Sequence, residues 1–157
     1  LYTKGRHEKS VDMELKNNRI ESYLPLRRLK RRWSDRTVFI EEPLFKSYLF
    51  VKTDAGHAPI VLRSKGAVSF VCQGHRPLAV DEKVIESLKA VVSSDWNVDP
   101  FPYLAAGDKV FVRSGMFKGL EGFVVRKDDK KCRLVISISA IQASISFEVD
   151  SCLVEKI

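Results

Sequence analysis

Between Arg27 and Arg36 the chain places six cations in ten residues, Arg27, Arg28, Lys30, Arg31, Arg32 and Arg36, with Trp33 among them. Guanidinium and ammonium groups neutralise phosphates, and an indole offers a flat face on which a base stacks. A charge run is most often only a solvated face, so the aromatic residue in its midst is what points to nucleic acid. Other reactive residue types are scattered. Histidines stand at 7, 57 and 75 and cysteines at 72, 132 and 152, without metal-ligand spacing and without a C-x-x-C pair. His7 reads as a solvated residue at a helix start rather than a base. Gly115-x-x-x-Gly119-x-x-Gly122 is glycine-rich, yet no helical pattern follows it, so tight turns explain it better than a phosphate-binding loop. Neither a nucleophile elbow nor H-E-x-x-H occurs. The expectation is a binding protein, not an enzyme, with no cofactor and no metal.

The cations need a scaffold, and the neighbouring sequence supplies one. Ile20 to Leu26 alternates apolar and polar residues as a strand does, Ser34-Asp35 suits a turn, and Thr37-Val38-Phe39-Ile40 reads as a returning strand. The result is a projecting β-hairpin with a basic tip. Glu41 to Lys52 follows, read as a turn containing Pro43 and then an apolar strand. From Tyr48 to Val51 every residue is apolar. Such a strand is covered on both faces, by the chain's own helices on one and by a partner or further core on the other. A helix is expected from Arg6 to about Asn18, with Val11 and Leu15 as an i, i+4 pair. A short one is expected at Ala58–Arg63, then a strand at Val68–Val71. Asp81 suits an N-cap, before a helix whose stripe is Val84, Ile85, Leu88, Val91 and Val92.

Residues 93–103 hold two prolines and read as a linker. From Ala106 onward, strands and glycine turns alternate at short spacing through Met116, Phe117 and Gly122, with further strands at Leu134–Ile138, Ile145–Val149 and Leu153–Val154. About 50 residues with this pattern suit a small five-stranded SH3-like barrel. The fold class is therefore α+β: an antiparallel sheet flanked by helices over 1–92, a linker over 93–103, and a barrel over 104–157. The net charge of +7 sits in the first part, where residues 1–92 carry 18 Lys/Arg against 11 Asp/Glu. A basic excess confined to one domain suggests a polyanionic partner for it. No apolar run approaches the roughly 20 residues of a membrane span, no secretory signal opens the chain, and the odd cysteine count suits a reducing cytoplasm.

Pro43-Leu44-Phe45-x-x-Tyr48-Leu49-Phe50-Val51 resembles the central signature of the amino-terminal (NGN) domain of NusG-type transcription elongation factors, RfaH-like and UpxY-like antiterminators included. Lys46-Ser47 stands where many relatives have Pro-Gly or Pro-Asn. Lys65-Gly66-x-Val68-Ser69-Phe70-Val71 is similar to the family too, and 104–157 resembles the KOW motif, so the likeness covers nearly the whole chain. Relatives open with a Trp-aromatic strand, which implies that a few residues precede Leu1. The resemblance implies a polymerase-binding patch of Tyr2, Pro43, Phe45, Tyr48, Leu49 and Phe50 for the clamp helices of RNA polymerase. It puts a gate-loop contact at His57 to Arg63. Lys4, Arg6, Arg28, Lys30, Arg31, Arg32, Trp33 and Arg36 would face non-template or upstream DNA, with nascent RNA as a further partner. The loop that reads roughly Ile-Phe-Gly-Arg in general NusG proteins aligns with Ala140-Ile141-Gln142-Ala143. Its aromatic ring, glycine and arginine are gone, so Rho binding is not expected and a ribosomal-protein contact is left open.

Three readings stand. The first is an elongation regulator, a cytoplasmic monomer that acts as an operon-specific antiterminator or as a housekeeping general factor. The basic hairpin and the altered loop favour the specialised kind. The second is an RNA- or ribosome-associated KOW protein, disfavoured because the barrel is the less basic part. The third is a nucleic-acid enzyme, disfavoured by the lack of clustered carboxylates or metal ligands.

Overall fold

Val11 and Leu15 are both completely buried, and the helix that carries them, α1 (Glu8–Asn17), lies on the sheet surface they seal. The computed structural model describes all residues except 95–97, 104–106, 116–117, 128–130 and 151–152. It divides into two compact units, Leu1–Leu78 and Ala79–Ile157. The first runs β1 (Tyr2–Thr3), α1, β2 (Glu21–Tyr23), β3 (Leu26–Arg32), β4 (Thr37–Pro43), β5 (Phe50–Lys52), α2 (Ala58–Leu62), β6 (Ala67–Ser69), β7 (Cys72–Gln73) and β8 (Arg76–Pro77).

The apolar stretch at 48–51 is central, as its composition predicts. On one edge it meets β1: Tyr2 and Tyr48 form an antiparallel bridge, and the Leu49 N–H donates to the Leu1 carbonyl at 3.1 Å. On the other edge β5 pairs with β2, Phe50 opposite Tyr23. β1 in turn pairs with β6. Successive strand residues point to opposite faces. Leu49 and Val51 accordingly join Val11, Leu15, Leu24 and Val61 in the core beneath α1 and α2. The expected turn at 41–43 is corrected, because Glu41, Glu42 and Pro43 complete β4, with Pro43 opposite Leu26. A proline at a strand end needs no ladder N–H, which is why the run could extend through it.

The apolar stripe of α1 is narrow, and its polar side chains add anchorage. A buried Glu8 accepts from the Ser47 N–H at 2.7 Å, Asp12 Oδ1 from the Ser22 hydroxyl at 2.7 Å, and Glu14 Oε2 from the Lys65 N–H at 3.0 Å. Two loops and strand β2 are thereby tied to one helix. Gly66 lies beside it at φ +110°, where an added Cβ would sit 2.7 Å from His7 Cβ. His7 is the N-cap residue of α1, as its reading at a helix start has it, and is half exposed instead of fully solvated.

The second unit opens with α3 (Glu82–Ser93), capped by Asp81, whose carboxylate accepts from the Lys83 N–H at 2.9 Å. Leu88 and Val91 of its stripe are fully buried. Then come β9 (Asp99–Phe101), β10 (Asp108–Val112), β11 (Glu121–Lys127), β12 (Lys131–Ile138), a 3-10 turn (Ser139–Ile141), β13 (Ala143–Asp150) and β14 (Val154–Lys156). They form one antiparallel sheet of six strands in the order β14-β10-β11-β12-β13-β9. Five strands were expected. The sixth, β9, comes from the expected linker and pairs Asp99–Phe101 with Ser144–Ser146. Gly122 lets β11 approach β12 closely, since a Cβ there would lie 2.7 Å from the Val135 carbonyl. Ala106, Met116, Phe117 and the linker residue Trp96 lie outside the described residues.

Candidate functional site

Two surfaces of the first unit carry the residues singled out from the sequence. The first is the face of the central strand turned away from α1 and α2. Tyr2 and Tyr48 meet there with ring centroids 5.4 Å apart. Phe50 contacts Phe45 edge-on at 6.1 Å and stacks with Tyr23 at 6.4 Å. Tyr2 is 40% exposed, and Tyr48 and Phe50 are half-buried. Phe45 and Leu49, at 4% and 1%, lie beneath the surface. As direct contacts for a partner these two are corrected: Phe45 supports Phe50 from below, and Leu49 belongs to the core on the opposite face. Pro43 is half-buried at the end of β4. Tyr23, read from the sequence as a strand residue and not as part of the patch, packs against Phe50, and burial pushes its phenol up to about 12. Its signal was the pairing of β2 with β5, which puts Tyr23 on the face of Phe50.

The turn that delivers Tyr48 to this face is strained in a definite way. Ser47 has φ +65°, the left-handed region that a glycine or asparagine enters more readily. Its N–H is held by Glu8, and its carbonyl accepts from Thr3 N–H at 2.8 Å. Glu8 and β1 together hold the chain in this conformation without a glycine.

The second surface is the hairpin β3–β4, paired from Leu26 opposite Pro43 to Arg32 opposite Thr37, with the Trp33 N–H donating to the Arg36 carbonyl at 2.8 Å. Direct partners share a face, so Leu29, Ile40 and Val38 form a half-buried side. Arg28, Lys30 and Arg32 rise on the other with Phe39. The Arg28 guanidinium lies 4.4 Å from the centre of the Phe39 ring, and that of Arg36 lies 5.6 Å from Trp33. Phe39, 56% exposed, was missed because Thr37–Ile40 reads as a simple apolar strand until its register is known. At the base, Arg27 Nε donates to Glu42 at 2.8 Å, and Nη2 reaches the same oxygen. That hydrogen bond, with the nearby charges of Arg27, Arg31 and Lys46 and against some desolvation, lowers the Glu42 pKa.

Lys4 and Arg6 are exposed on the turn between β1 and α1, and Arg6 has φ +66°. His57 and Arg63 cap opposite ends of α2 and do not converge on one point. His57 Nδ1 lies 3.0 Å from the Asp54 carboxylate, and this contact lowers the Asp54 pKa. In the second unit, Ala140 and Ile141 belong to the 3-10 turn, and Gln142 follows at φ +48° with Nε2 donating to the Ser139 carbonyl at 2.9 Å. Gln142 thus occupies a left-handed position where the aligned pattern has glycine. Among the described residues no three His, Cys, Asp or Glu cluster as a metal site, and no helix is long and apolar enough to cross a membrane. Cys72 is a free, exposed thiol, and Cys152 lies outside the described residues.

Comparison with known proteins places these surfaces in a family. Residues 1–89, more than half of the chain, match the family NusG, described as transcription termination factor nusG. A solved structure of Thermotoga maritima NusG, described by its domain interaction, is 18% identical over 100% of this chain and 94% of its own, with a TM-score of 0.55. That likeness is one of fold. The MjSpt4:Spt5 complex in conformation B is 16% identical over 99% of this chain and 93% of its own, at a TM-score of 0.29. The aromatic strand and the basic hairpin both fall within the matched residues, and the chain belongs to the NusG family.

Proposed function

We propose that this protein is a cytoplasmic regulator of transcription elongation, an NGN domain followed by a KOW domain, that docks on RNA polymerase and contacts DNA without catalysing a reaction. The observation that carries the reading is the aromatic face of the central strand. Its opposite face is sealed by α1 and α2, whereas Tyr2, Tyr48 and Phe50 reach the surface as one patch. Exposed aromatics held on a rigid strand are what a helical partner buries as hot spots, and the polymerase clamp helices are the partner that membership of the family suggests. The basic hairpin supports a second contact, with exposed non-template or upstream DNA. Its cations stand on a stiff two-stranded element instead of a floppy tail.

The specialised, antiterminating role rests on the 3-10 turn of the second unit. Ile141 keeps an apolar knob, but neither an aromatic ring nor a cation stands in Ala140–Ala143. An aromatic anchor with a nearby cation is a common hot-spot pair, so a surface for Rho is absent from this reading. The test is an elongation assay with purified polymerase on templates carrying intrinsic and Rho-dependent terminators, with and without candidate leader elements. Read-through that rises with the protein and depends on a leader supports the specialised role. Rho-dependent termination enhanced on every template returns it to the general class. No effect on elongation removes the reading altogether.

A further inference from the structure

Phe45, Lys46, Ser47 and Tyr48 form one β-turn, closed by the Tyr48 N–H donating to the Phe45 carbonyl at 3.2 Å. Both ends of the turn are aromatics of the exposed face. Phe45 lies under Phe50, and Tyr48 lies against Tyr2 with ring centroids 5.4 Å apart. The third residue, Ser47, has φ +65°, a value that β-turns ordinarily reserve for glycine or asparagine. A serine there prefers negative φ, and the two forms of the turn differ by reversal of the peptide between its second and third residues. In this turn that peptide carries the Lys46 carbonyl and the Ser47 N–H.

The same Ser47 N–H is the group that Glu8 holds, at 2.7 Å, from the first turn of α1. Reversal of the peptide would break that bond and turn the Lys46 carbonyl toward a carboxylate that is 5% exposed. Glu8 therefore selects the form of the turn that the serine by itself disfavours. The next carbonyl, that of Ser47, accepts from the Thr3 N–H at 2.8 Å, one residue from Tyr2. We propose that Glu8 is a positioning residue for the aromatic face. By fixing the 46–47 peptide it keeps Phe45 and Tyr48 in register with Phe50 and Tyr2, and so sets the affinity for the docked partner without touching it. This rests on reading that face as the polymerase surface, and the test separates the two ideas.

Affinity of the full chain for RNA polymerase is measured at a temperature where every variant is folded. A left-handed serine is disfavoured by roughly tenfold in population, and a reduced competent fraction weakens apparent affinity in proportion. Glu8→Ala is accordingly expected to weaken binding by roughly tenfold. Glu8→Gln keeps an oxygen acceptor for the Ser47 N–H and should stay near wild type. Ser47→Gly, added to Glu8→Ala, should restore the affinity, because glycine enters positive φ freely. Val11→Ala, a cavity at a completely buried position of the same helix, should lower the thermal midpoint and leave affinity unchanged. In the free protein, the nuclear Overhauser contact between the Tyr2 and Tyr48 rings should fade in Glu8→Ala and return with Ser47→Gly. The positioning role is wrong if Val11→Ala weakens binding as much as Glu8→Ala does, or if Ser47→Gly repairs neither readout. If Glu8→Ala binds as wild type while Tyr48→Ala does not, positioning alone falls and the docking face stands. If Tyr48→Ala also binds as wild type, both ideas fall.

Discussion

Ser47 shows how a single residue depends on another far along the chain. A serine at φ +65° persists because the Glu8 carboxylate, 39 residues earlier, accepts its N–H at 2.7 Å. Glu8→Ala leaves that donor without its partner and should lower stability by about 1–3 kcal/mol, read as a fall in thermal midpoint. Ser47→Gly relieves the conformational strain and should recover part of the loss in the double variant. A midpoint unchanged by Glu8→Ala would show that β1 alone holds the turn. Gly66 makes the complementary case. Gly66→Ala combines an unfavourable φ of +110° with a contact of 2.7 Å to His7 Cβ, and about 2 kcal/mol or more should be lost. His7→Ala should not rescue it, because the colliding Cβ remains. Neither dependence was legible in the sequence. The departure at Lys46-Ser47 from Pro-Gly or Pro-Asn was visible, but its compensation by Glu8 needed the fold.

At the scale of elements, the hairpin couples charge to stability at its base. Arg27 holds the Glu42 pKa below its unfolded value. That contribution is complete above the unfolded carboxylate range, near pH 4.3, and is lost as pH falls through the lowered value. Glu42→Gln should therefore destabilise the first unit at neutral pH, and its difference from wild type should vanish once the pH lies below the lowered value. A difference that persists there would assign the effect to packing. Which elements could be read from sequence follows from how they bury side chains. α1 and α3 declared themselves by the spacing of Val11 and Leu15 and of Leu88 and Val91. The hairpin declared itself by its turn and charge. β9 did not, because Asp99-Pro100-Phe101 has no strand pattern. It forms by backbone pairing at a sheet edge, where a proline is tolerated. The side of the hairpin on which Phe39 falls was equally hidden, since only the register against Lys30 fixes it.

At the scale of the whole molecule, the two units differ in charge, and the net basic excess lies in the first. In the second, Gln142 takes a left-handed conformation, and its neighbours include neither an aromatic residue nor an arginine. The turn presents neither an aromatic anchor nor a cation, so a pull-down with the full chain should retain no Rho. Retention that is lost on Ile141→Ala would overturn that expectation. The central claim, that the aromatic face of the first unit is the polymerase surface, is tested most directly by titrating RNA polymerase with wild type, Tyr48→Ala and the control Met13→Ala. Met13 is also an exposed apolar residue, but it lies on α1, which covers the opposite face of the central strand. With all three shown to be folded, Tyr48→Ala should cost about 2 kcal/mol or more, a loss of roughly thirtyfold in affinity, while Met13→Ala binds as wild type does. Equal affinity of Tyr48→Ala and wild type would contradict the account and move the docking surface elsewhere.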